Sequence, residues 1–240
     1  MASVLHPTTT ATPATRGTGA AARRERGRRE MREAILAAAR RLVAEGGVDA
    51  LQMRAVAGAI GYSVAALYEY FPAKDDILIC LYFEGAGGLA GRMRLALGAI
   101  PERASAHDRI VALGRAYRAY AHEQRELFLL VFTRNVPHQG SPHGGEHAED
   151  GDDGFDLLVE VARDGIERGE FASVPPAVLA MAAWTLVHGF VMLELGGHFA
   201  ATMPAGCAPG GPKDGAAAPS PDDLFAATVG LGMQGLLRRQ

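Results

Sequence analysis

From about residue 28 onward, apolar side chains return every three or four positions as Ile35, Leu36, Ala38, Ala39, Leu42 and Val43, closing at Glu45-Gly46-Gly47. That spacing predicts an amphipathic helix with a glycine stop. Asp49 stands three residues before Gln52, the spacing of a capping box, ahead of the apolar positions Met53, Val56, Ala57 and Ile60 of a second helix ending at Gly61. Ser63 then offers a hydroxyl N-cap to a third helix. Its inward face is Leu67 with Tyr70 or Phe71, and Pro72 stops it.

A long helix follows over about 73–97, with Asp75 and Asp76 in the first turn, where carboxylates complement the helix dipole. Further helices are predicted over about 104–122, 125–136, 155–168, 176–195 and 223–239. Between them lie two aperiodic stretches, 137–154 and 196–222, rich in Gly with His and acidic residues in the first and Pro and Ala in the second. Loops of that length within a helical body are typically functional or disordered, and disorder is the expectation for both. The fold class is all-α. Residues 1–27 read as a disordered basic arm, with 1–22 low in complexity, 28–74 as a three-helix domain, and 75–240 as a larger helical bundle.

Composition narrows this further. A chain of 240 residues, 48% apolar, can bury a sizeable core. No run of about 18 apolar residues suggests a membrane span, and residues 1–22 lack the apolar core of a secretory signal, so the expected compartment is the cytoplasm. Two cysteines, Cys80 and Cys207, fit neither a disulfide framework nor a zinc site. The net charge of −3 is unevenly spread: residues 1–78 carry 11 basic and 8 acidic side chains, and seven arginines fall between Arg16 and Arg32. A basic front on an acidic body suits a protein that presents one face to a polyanion.

Two short helices crossed over a glycine turn are the geometry that sets one helix into the major groove of DNA. The segment Met53-Arg54-Ala55-Val56-Ala57, then Gly61-Tyr62-Ser63, then Ala66-Leu67-Tyr68-Glu69-Tyr70-Phe71-Pro72-Ala73-Lys74 resembles the DNA-binding domain of TetR-family transcriptional regulators. Ala183-Trp184-Thr185-Leu186-Val187-His188-Gly189 is similar to the Trp-His-Gly segment of one class of that family's C-terminal domains. Arg115-Ala116-Tyr117 and the run from Arg125 to Phe132 fit the same class. The resemblance implies a DNA-binding regulator, commonly a repressor released by a small molecule, that dimerises through its last two helices on a palindromic operator.

By residue type, Tyr68 and Tyr70 offer hydroxyls to phosphates, Lys74 offers a charge, and Arg54 reaches towards the backbone; the resemblance assigns Tyr68 and Lys74 to phosphates most directly. Val64, Ala65 and Ala66 can read bases only by apolar contact with thymine methyls, which leaves Ser63, Glu69, Gln52 and DNA shape to carry specificity. The family more often has Thr near Leu51 and Gln52, and Lys or Arg, Gly and Thr at 64–66. The expected effector pocket is lined by Tyr117, Phe128, Phe132, Trp184, His188 and Met192, apolar surface with a few polar groups.

Two rival functions follow from other features. His138, His143 and His147 share a loop with Glu146, Glu149, Asp150, Asp152 and Asp153, which would make a metal-responsive regulator, although their spacing fits no fixed site. A helical scaffold that does not bind DNA is the other. No Gly-x-Ser-x-Gly, His-Glu-x-x-His or Gly-x-x-x-x-Gly-Lys arrangement occurs, and neither an enzyme nor a cofactor is expected.

Overall fold

The computed structural model describes residues 16–101, 103–134, 154–199 and 220–234. Helix α1 spans Arg16–Gly46 and a 3-10 turn Val48–Ala50 follows it. Then come α2 (Met53–Ile60), α3 (Val64–Tyr68), α4 (Lys74–Gly98), α5 (Ala106–Glu123), α6 (Arg125–Thr133), α7 (Gly154–Glu167), α8 (Pro176–Leu195) and α9 (Pro221–Gln234). The expected disorder of the first 27 residues is corrected from Arg16 onward, where the arginine-rich segment is helical. The two expected loops lie mostly outside the described residues. At their edges α7 begins at Gly154 and α9 at Pro221, each inside a stretch predicted to be loop.

Local chemistry explains the boundaries. Gly47 at the end of α1 and Gly61 at the end of α2 adopt φ of 71° and 74°, the left-handed region where a side chain is strained. Ser63 caps α3 as expected, its Oγ accepting from the Ala66 N–H at 3.2 Å. The capping box expected at Asp49 and Gln52 does not form. Gln52 is the N-cap of α2 without a side-chain capping bond, its Nε2 donates to the Asp49 carbonyl, and the Asp49 carboxylate pairs with Arg134 at 2.9 Å. The box is out of register: Asp49 lies inside the 3-10 turn and α2 starts only at Met53, so Gln52 and not Asp49 stands at the N-cap.

Two apolar cores stack along the molecule. The N-terminal one joins α1 to α4 through Ile35, Ala39, Val43, Leu51, Val56, Leu67, Phe71, Ile77 and Leu81, all buried. The C-terminal one is built from α4, α5, α7, α8 and α9. Helix α6 supplies both, with Leu127 and Leu130 in the first and Phe128 in the second. Residues three apart share a helix face while their neighbour lies about 100° round, so α6 is a shared wall.

Helix α7 packs so closely on α5 that a Cβ at Gly165 would sit 2.5 Å from both the Ala106 Cβ and the Phe171 ring. Gly165→Ala is therefore expected to lower stability by about 1–3 kcal/mol through overpacking. Gly58→Ala, in an exposed helical position with open space around it, is expected to raise stability by about 0.5–1 kcal/mol. Urea unfolding of the two variants beside the parent measures both signs.

Candidate functional site

The first candidate surface is the end of the N-terminal domain. Helix α3 buries Leu67 on the core, which turns Ala65, Tyr68 and Glu69 outward; Tyr68 is 50% exposed. Gln52, Arg54 and Ser63 are exposed as well, whereas Val64, Ala66, Tyr70 and Lys74 are half-buried. Lys74 is the first residue of α4. Ahead of it, the Ala73 N–H donates to Asp76 Oδ2 at 2.8 Å, which fixes that helix start. Leu51, a departure from the family pattern, is fully buried in the core.

The far end of α3 is held by two arginines that the residue pattern did not single out. Arg32 Nη1 donates to the Tyr70 carbonyl at 2.8 Å while its guanidinium stacks 4.2 Å from the Phe71 ring centre. Arg28 donates to the Glu69 carbonyl at 3.4 Å and lies over the Tyr70 ring. A cation at the carboxyl end of a helix complements its dipole, and these bonds satisfy carbonyls that α3 leaves open. Their signal in the sequence was only an arginine run.

The second candidate site is an aromatic cluster in the C-terminal core. Tyr117 of α5, Phe128 and Phe132 of α6, and Trp184 and His188 of α8 form one group, with ring centres 4.8 to 6.2 Å apart in the contacting pairs. Of the six residues expected to line a pocket, Tyr117 and Trp184 bound the adjoining cavity, whereas Phe128, Phe132, His188 and Met192 pack outside its lining. That cavity, about 20 Å³, is bounded by Met93, Leu113, Gly114, Tyr117, Leu158, Trp184 and Val187 among others. It has room for about one water. Met93, Leu113, Gly114, Leu158 and Val187 were not anticipated as lining residues, because by type they read as core.

A polar thread runs through the rings. Trp184 Nε1–H donates to the Tyr117 hydroxyl at 3.4 Å, leaving that hydroxyl free to donate to His188 Nδ1 at 2.6 Å. Burial lowers the His188 pKa from its ordinary 6.5, so the imidazole is neutral at pH 7, with its proton on Nε2. Burial likewise pushes the Tyr117 hydroxyl well above the usual range and that of Tyr120 up to about 12. Because the folded His188 pKa is depressed, the unfolded chain takes up this proton first. Stability is expected to fall as pH drops below about 6.5, and His188→Leu is expected to flatten that part of the profile, measured as melting temperature against pH.

A third cluster ties the end of α8 to α5 and α9. Arg118 forms a two-pronged pair with Glu194 at 2.7 and 2.6 Å, also pairs with Asp222, and lies over the Phe225 ring. Burial alone would raise the Glu194 carboxyl; hydrogen bonds from Arg118 and His122 outweigh it and hold the pKa below its ordinary 4.5. Among the described residues no group of three His, Cys, Asp or Glu side chains converges as a metal site. The His-rich stretch 138–153 lies outside the described residues.

Comparison with known proteins decides the family. Residues 35–80 match the family model described as bacterial regulatory proteins, tetR family, and residues 110–208 match the tetracyclin repressor-like C-terminal domain. The chain belongs to the TetR family of transcriptional regulators. Its family is one of regulators and not of enzymes. Over 51 residues it is 45% identical to the HTH-type transcriptional repressor KstR of Mycobacterium tuberculosis, and equally to that of Rhodococcus jostii. That match spans 21% of this chain and about a quarter of those relatives.

Whole-fold likeness extends further. A Rhodococcus protein of unknown function shares 25% identity at a TM-score of 0.67, with 86% of this chain and 95% of that one covered. The TetR-family regulator PfmR from Thermus thermophilus shares the fold at 23% identity and a TM-score of 0.57, covering 85% and 99%.

Proposed function

We propose that this TetR-family protein is a homodimeric repressor that binds a palindromic operator and leaves it when a small, largely apolar molecule enters the aromatic cluster. The observation that carries the reading is the reading head: α3 projects Ala65, Tyr68 and Glu69 outward while Arg28 and Arg32 pin its far end from α1. On this reading Tyr68, Tyr70, Lys74 and Arg54 hold phosphates. Ser63, Val64, Ala65, Ala66, Glu69 and Gln52 face base edges, with Ser63 divided between capping and contact. The site of action is the cytoplasm, where the DNA is.

Helix α8 supports the dimer. It is apolar on all sides and long enough by composition to cross a membrane, yet one stripe, Leu179, Ala183, Val187 and Phe190, is buried in the core. The opposite stripe carries Val178, Met181 and Leu193 at 36% exposure or more and flanks an open groove with Thr185 and Leu186; Gly232 of α9 lies against Leu186, and its neighbour Leu231 is exposed as well. A helix apolar all round is a buried helix, and a second copy related by two-fold symmetry covers such a stripe with itself.

Effector action follows from α6. A ligand wedged beside Tyr117 and His188 displaces Phe128 and Phe132, and the same helix carries Leu127 and Leu130 into the core beneath the reading head. The ligand thereby favours one of two head spacings. The test is selection from a random duplex library, followed by binding to the enriched site across a salt series. A two-fold symmetric site, lost in Tyr68→Ala and Lys74→Ala with the fold intact, is the expected result. A folded dimer that enriches no site overturns it.

A further inference from the structure

Helix α1 is far longer than its domain uses. Its packed residues begin near Met31, and residues 21–30 are all exposed. At 1.5 Å per residue the segment from Arg16 to Glu30 extends about 22 Å beyond the core. Seven arginines and two glutamates lie between Arg16 and Arg32. A free helix polar on every side, with Gly19 and Gly27 inside it, has little of its own to hold it together. Its stability calls for a partner, and its charge calls for an anionic one.

The register says where that partner lies. Arg24, Arg28 and Arg32 follow one another at four-residue steps, in line with the buried face that Ile35 and Ala39 continue. Arg32 meets the carbonyl of Tyr70 and Arg28 that of Glu69, so the stripe climbs past the far end of α3. Arg24 is the next step, about 6 Å further on, exposed and beyond the last residue of the reading head. On the operator-binding reading, a duplex seated on α3 would pass in front of it.

We infer that the N-terminal half of α1 is a second DNA-binding element, laying Arg23 and Arg24 on the phosphates that flank each half-site. The inference rests on the operator-binding reading above and adds a contact outside the helix-turn-helix. About 22 Å of helix spans roughly six base pairs at 3.4 Å each. Contacts of this kind raise affinity for every sequence alike and steepen its salt dependence, since each neutralised phosphate releases counterion. They carry no base information.

The test compares the parent protein with a variant bearing Arg23→Gln and Arg24→Gln. Both are measured on the selected operator with ten flanking base pairs on each side and on the same operator trimmed to its half-sites. The parent is expected to bind the long duplex at least tenfold tighter than the trimmed one. The variant is expected to bind the two equally, with a salt slope lower by about 0.9 per lost phosphate contact and an unchanged ranking of operator sequences.

Equal binding of both duplexes by the parent would overturn the inference and leave the arm solvated. A changed sequence ranking in the variant would also overturn it, because the arm would then read bases. Failure of the parent to select any duplex would instead strike the operator-binding reading itself. Circular dichroism and a melting curve of the variant establish that the core is intact, and Lys74→Ala, which lies outside the arm, is expected to weaken both duplexes alike.

Discussion

Phe71→Ala is expected to lower the stability of the folded chain by about 3–5 kcal/mol, the range for a large aromatic side chain removed from a closed core. The Phe71 ring is fully buried, and it sits where α1, α3 and α4 meet. One face carries the Arg32 guanidinium at 4.2 Å, so the substitution also removes the surface on which that cation rests while it holds the Tyr70 carbonyl. Phe71→Leu keeps much of the volume and is expected to cost less than half as much. Urea unfolding followed by far-ultraviolet dichroism gives both values, and a loss under 1 kcal/mol for the alanine variant would mean that the core closes around the gap.

Phe128→Ala is the second large effect. That ring is fully buried and stands edge-on to Tyr117 at 5.2 Å and against Phe132 at 4.8 Å. Its loss is expected to cost about 3–4 kcal/mol and to open an apolar hole beside the 20 Å³ cavity already present. Apolar holes of that kind stay dry and take up small aromatic molecules. The melting temperature of Phe128→Ala is therefore expected to rise with added benzene or indole while that of the parent does not. Absence of any ligand-dependent rise would show that the neighbouring rings collapse into the space, and would argue against an effector seated there.

Much of this architecture is legible in the chain because it is local. Ser63 caps α3 through a bond to the residue three positions on, and the doubled proline at 175–176 fixes the start of α8. What escapes a reading by pattern is tertiary. The Asp49 carboxylate pairs with Arg134, 85 residues away, a partner no local spacing indicates. The helix over 16–27 has no apolar period to announce it, and residues 21–27 of it are exposed. The convergence of Tyr117 with His188, 71 residues apart, is legible only as a shared residue type, aromatic on apolar helices. Met93, Gly114 and Leu158 beside them carry no distinguishing chemistry, so only the fold reveals which surface they bound.

The placement of α6 has a consequence for how the molecule comes apart. Because Leu127 and Leu130 complete the core under the reading head while Phe128 completes the other, neither core can lose its structure without exposing apolar surface of its neighbour. The two regions are therefore expected to open together in hydrogen exchange and to melt in a single step, even though sequence divides them into two domains. Release from the proposed operator is then expected to come from rigid repositioning of the head rather than from its unravelling.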